Sequence, residues 1–152
     1  MKVVLHVPCP PYIRKFVEAS FGENIEINQT NWLGIFIYSL LQKKSHPTYH
    51  YAGQKKAAGY DDRLVFSFSV HQANKNGYFI INSDEAKIIR HIDDVFRRSV
   101  YAQALINKES FGLEFKSTIT SILDSYNITE NELQYETLKK DFDRVKKSLL
   151  SN

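Results

Sequence analysis

Apolar positions fall into two kinds of period along this chain. "KVVLHV", residues 2–7, is Val-rich and reads as a first strand, stopped by Pro8, Pro10 and Pro11. Pro11 suits the first turn of a helix, where a missing N–H costs nothing. "YIRKFVEASF" then places Tyr12, Ile13, Phe16 and Val17 on one face, and Gly22 is a natural stop. "IEI", 25–27, reads as a short strand. Thr30 or Asn31 can cap a helix over 31–43. There Leu33, Phe36, Ile37, Leu40 and Leu41 form one stripe, and Trp32, Ile35 and Tyr38 make the opposite side apolar too. A helix apolar all round belongs to a core or to a subunit interface; the domain needs one such core helix, and 31–43 is alternatively the surface for a homodimer.

After a loop at 43–62 the period changes. "RLVFSFSV" puts Leu64, Phe66, Phe68 and Val70 at every second position, with serines between, as in a half-buried strand. "ANKNG" ends in Asn-Gly, a hairpin signal, and "YFII", 78–81, is the expected return strand. From Asn82 onward the period is helical. Asn82 and Glu85 look like a capping box. The helix behind them presents Ile88, Ile89, Ile92, Val95, Phe96 and Val100, with Arg90–Asp94 and Asp94–Arg98 spaced for ion pairs on the other face. A further helix is predicted over 111–126. After the break "YNIT", a second capping box, Thr129 with Glu132, opens a last helix over 130–149 that would bury Leu138, Phe142, Val145 and Leu149.

The predicted fold is α+β: a small, mostly antiparallel sheet packed by N-terminal helices, followed by a C-terminal region of about three helices. The length of 152 residues suits one domain, with a mixed part at 1–81 and a helical part at 82–152. Neither repeats nor low-complexity segments interrupt it. The longest apolar run, Trp32 to Leu41, is too short for a bilayer, so no membrane partner is expected. The single cysteine, Cys9, cannot form an internal disulfide, which fits a reducing, cytoplasmic compartment.

Charge changes the picture at one place. The formal net charge is only +3, but residues 1–76 hold nine basic and five acidic residues, while 77–152 hold eleven and twelve. No acid occurs from Ile27 to Tyr60. That window contains Lys43, Lys44, Lys55 and Lys56, with Tyr49, Tyr51 and Tyr60 interleaved. Lysines attract phosphates irrespective of sequence, and tyrosines stack on unpaired bases. The loop therefore reads as a contact for DNA or RNA, as a solvated connection, or as a contact for a protein partner. On the last helix Lys140, Arg144 and Lys147 share one stripe, flanked by Lys139 and Lys146. The beginning of that helix is acidic, with Glu130, Glu132 and Glu136, as the helix dipole favours.

No catalytic constellation emerges, and the chain reads as a non-enzyme without cofactor. His46 and His50 have zinc-binding spacing, but Pro47 lies between them and no nearby Cys, Asp or Glu completes a site. Glu114-Phe115-Lys116 matches a nuclease fragment that needs a strand, yet reads as helix. Cys9 has no obvious base to activate it.

"PPYIRKFVEASFG", "NWLGIFIYSLL" and "LDSYNITENELQYETLKKDFDR" resemble small phage and mobile-element proteins of Bacteroidota-type bacteria. The last piece is also similar to the helix-turn-helix tail of Mor-type phage transcription activators, departing from it in the acidic helix start. The resemblance implies a phage or mobile-element DNA-binding protein, regulatory or replication-associated. Any DNA contact would then fall to the basic C-terminal half of the last helix. The rival expectation is a protein-interaction module: a dimeric adaptor, or an inhibitor of a host protein.

Overall fold

The computed structural model describes residues 1–42, 49 and 50, 60–78 and 80–150, the side chains of 49, 50, 81, 82, 149 and 150 excepted. The fold is α+β, and the chain divides into two compact units, Met1–Asp93 and Asp94–Asn152.

In the first unit, β1 (Lys2–Pro8) and β4 (Arg63–Ser69) pair antiparallel, and β2 (Asn24–Glu26) joins the other edge of β4 in parallel. The three-stranded sheet is thus mixed, in the order β1-β4-β2. Alternation decides its faces. Leu5 lies opposite Phe66 and Val7 opposite Leu64, while Ile25 flanks Phe66 from β2; all five are buried. Val4, one step out of phase, is exposed.

Helix α1 (Pro11–Phe21) begins on Pro11 and ends at Gly22, whose φ of 83° suits a residue without a β-carbon. It buries Ile13, Phe16 and Val17. Helix α2 (Trp32–Leu40) is capped by Asn31, whose side chain accepts the Gly34 N–H at 2.6 Å. Its Leu33, Gly34, Ile37 and Tyr38 are buried. Tyr38 donates its hydroxyl to the Ile27 carbonyl at 2.9 Å and meets Phe68 edge-on, and its burial raises its pKa. On the other side Ile35 is 56% exposed, while the partly exposed Trp32 lies against Phe21 and His91 and Phe36 stacks on His91 at 4.1 Å.

Among the described residues the expected hairpin does not form. Val70 does not extend β4 but starts α3 (Val70–Asn76), because Ser69 caps the Gln72 N–H and Gly77, at φ 121°, ends the helix. The following pair, β5 (Ile80–Ile81), runs antiparallel to β3 (Tyr49–His50) and not to β4.

Helix α4 (Asn82–Phe111) is far longer than its apolar stripe to Val100 suggests, and contributes to both units. Among the described residues neither Arg90–Asp94 nor Asp94–Arg98 forms an ion pair. Tyr12 instead donates to Asp93 at 3.1 Å in the first unit, and Asp141 holds Arg97 in the second. The second unit is completed by α5 (Phe115–Ser125) and α6 (Tyr135–Leu150) around Phe96, Val100, Ala104, Ile119, Leu123, Ile128, Leu133 and Leu138. No described helix is long and apolar enough to cross a membrane.

Candidate nucleic-acid interface on the last helix

The last helix begins later than its sequence signal. Residues 130–134 form a turn in which Glu132 and Leu133 donate their N–H groups to the Thr129 carbonyl. Glu130, not Thr129, supports the helix start: its carboxylate accepts the Tyr135 N–H at 3.3 Å. A carboxylate there and Glu136 in the first turn suit the positive end of the dipole, and Lys147 suits the negative end. Nine residues, 126–134, separate α5 from α6. A helix-turn-helix uses a turn of about 3–4.

Packing sets which face of α6 is free. Leu138 and Phe142 are buried, the Phe142 ring lying 4.1 Å from that of Phe115 and 5.3 Å from that of Tyr101. Val145, expected in the core, is 39% exposed, since the apolar stripe outruns the surface that covers it. Lys140, Arg144 and Lys147 lie away from the core and are exposed, with Lys139 and Lys146 beside them. Four and three residues apart, the three stripe cations are separated by about 6 and 4.5 Å along the axis.

Asp141 is the counter-charge at the centre. It accepts the Tyr101 hydroxyl at 2.5 Å, pairs with Arg97 at 3.5 Å and reaches Arg144 at 3.4 Å. Burial, and then the hydrogen bond to this carboxylate, push the Tyr101 pKa well up. Lys139 stands 4.0 Å from Asp143. Both surface pairs are weak ones, open to solvent and to competition from phosphate. Lys140, Lys146 and Lys147 have no ion-pair partner among the described residues. The segment 139–147 carries five basic and two acidic residues, whereas the second unit as a whole has nine of each. The helix is therefore bipolar, acidic at its start and cationic over its last three turns.

The loop residues Lys43, Lys44, Tyr51, Lys55 and Lys56 lie outside the described residues, as does the side chain of Tyr49. His46 and the His50 side chain do too, so the zinc spacing finds no geometry there. Glu114 and Lys116 flank the first residue of α5, and Lys116 sits 5.5 Å above the Tyr135 ring. Cys9 is fully buried, and burial raises its thiol pKa to about 12. Among the described residues no group of three or more His, Cys, Asp or Glu is placed to hold a metal. No protein-family model, curated protein or solved structure matches the chain.

Proposed function

We propose that this is a nucleic-acid-binding protein of a phage or mobile element, regulatory or replication-associated, working in the cytoplasm and without catalytic activity. One observation carries the reading: α6 presents Lys140, Arg144 and Lys147 on one exposed stripe, with Lys140 and Lys147 unpaired among the described residues. Two ammonium groups and a guanidinium spaced along one stripe suit contacts to the phosphodiester backbone. The acidic start of α6 and the long α5–α6 connection both weigh against base readout by the helix N-terminus. The lysines and tyrosines of 43–56 add, on sequence grounds, a second cationic contact with stacking for single strands.

The test is fluorescence anisotropy with labelled single-stranded and duplex DNA of mixed sequence at two salt concentrations. Binding is expected to weaken steeply with salt, by roughly 0.9 log units per log unit of salt for each phosphate contacted on a duplex. Absence of binding at low salt overturns the reading.

A second reading, a protein-interaction module, rests on Ile35 and the exposed part of Trp32, an apolar patch on α2 beside the rings of Phe21 and His91. A homodimer through that face would appear in light scattering as mass rising with concentration, and Ile35→Glu would abolish it.

A further inference from the structure

In the second unit α4 and α6 wall a groove of about 410 Å³. Its floor is apolar: Tyr101, Ala102 and Leu105 from α4, Phe142 and Val145 from α6. Pockets that bind ligands have this order of volume and this lining. Residues one helical turn apart on each wall make the floor a strip running with the helices.

The charges at the rim are asymmetric. Arg98 on α4 and Lys146 on α6 flank the strip from opposite walls, and neither has an ion-pair partner among the described residues. The acid lining the groove, Glu109, stands eleven residues beyond Arg98, about 16 Å along α4. Neighbouring Asp141 is already engaged by Tyr101, Arg97 and Arg144. The apolar strip runs about 6 Å along α4, from Tyr101 to Leu105, with one free cation on each wall, and is complementary to the face of an amphipathic helix carrying acids beside its apolar stripe. A phosphate chain would meet the cations but strand the floor, so the groove calls for a different ligand from the outer stripe of α6.

We propose that the α4–α6 groove is a docking site for an acidic amphipathic helix of a partner protein. Its apolar side chains at i and i+3 or i+4 seat on the floor at Tyr101, Leu105 and Val145, and its carboxylates pair with Arg98 and Lys146. The inference stands apart from nucleic-acid binding.

The experiment is selection of random phage-displayed peptides of about fourteen residues, or four turns, on the full chain. Two charge-neutral variants serve as controls. Ala102→Gln puts bulk into the floor from an exposed position where Gln is a good helix former, and Val145→Gln removes an exposed apolar contact. The expected winners have apolar residues at helical spacing and net negative charge. They bind each variant at least about tenfold more weakly, a loss of about 1.4 kcal/mol, while DNA binding by both variants is unchanged. Four results overturn the proposal: no enrichment; winners that are basic or lack the apolar spacing; winners that bind both variants as well as the parent; and displacement of the winners by duplex DNA. Self-association that Ala102→Gln abolishes, with no peptide selected, would also overturn it by making the groove an interface between copies.

Discussion

A β-carbon on Gly34 would collide with the carbonyl oxygen of Asn28 and come within 2.7 Å of its nitrogen and 2.9 Å of its carbonyl carbon. The obstacle is backbone, which cannot swing aside as a side-chain tip can. Gly34→Ala should therefore force α2 away from residue 28 and cost at least about 1–3 kcal/mol, the usual range for overpacking. Asn31→Ala, which removes only the cap on the Gly34 N–H, should cost about 1 kcal/mol. Urea unfolding followed by Trp32 fluorescence measures both; equal losses would mean that the close approach relaxes without strain. Cys9 gives a second residue-scale expectation. Burial, and then the Asp62 charge, raise its thiol from 9.0 to about 12. The thiolate is the reactive form, so native Cys9 should resist alkylation at pH 9 and react only as fast as the chain opens. The folded chain keeps a proton that the unfolded chain releases. Stability from this group is accordingly full below pH 9 and falls as pH rises towards 12, by up to about 1.4 kcal/mol per unit. Cys9→Ala should make the alkaline loss shallower, leaving the contributions of Tyr38 and Tyr101.

At the scale of elements, the network on Asp141 fastens α6 to α4. Tyr101→Phe removes a hydroxyl that donates to a carboxylate but leaves the ring against Phe142. The expected cost is about 1.5–3 kcal/mol, that of a hydrogen bond to a charged group, read as a lower urea midpoint with an unchanged m-value. A midpoint equal to the parent's would show that Arg97 and Arg144 satisfy Asp141 by themselves. Where one residue type has one dominant use, the elements were legible in the sequence. Strict alternation from Leu64 to Phe68 announced β4, and Pro11 and Gly22 bracketed α1. Where a residue type has two uses, the sequence was ambiguous. Asn76-Gly77 could turn a hairpin or end a helix, since both want glycine at positive φ, and Ser69 capping Gln72 decided for the helix. Thr129 and Glu132 matched a capping box, yet Glu130 held the helix start. Exposure of Lys140, Arg144 and Lys147 followed from the periodicity that buries Leu138 and Phe142. The groove did not, because its second wall comes from α4, some forty residues earlier in sequence, and period within one helix is silent about neighbours.

Over the whole molecule, charge is distributed in two cationic places of different character. The first unit holds eleven basic and eight acidic residues, and its excess comes from the acid-free window around Lys43, Lys44, Lys55 and Lys56. The second unit is neutral in sum, yet α6 concentrates cations towards its C-terminal end. A polyanion long enough to engage both would release counterions at each, so the salt dependence of binding counts the contacts. Lys140→Gln with Lys147→Gln should lower the slope for a duplex by about 2 units and weaken binding to all sequences alike, as backbone contacts do. Lys55→Glu with Lys56→Glu should flatten it further. If the two pairs contact separate phosphates, their effects should add in log K. If only the α6 pair matters, the loop lysines are solvated connectors and the interface belongs to the second unit. If only the loop pair matters, the α6 stripe is a charged surface ordered by its own dipole, and the first unit is the binding unit. A slope untouched by either pair would remove phosphate contact by these residues altogether.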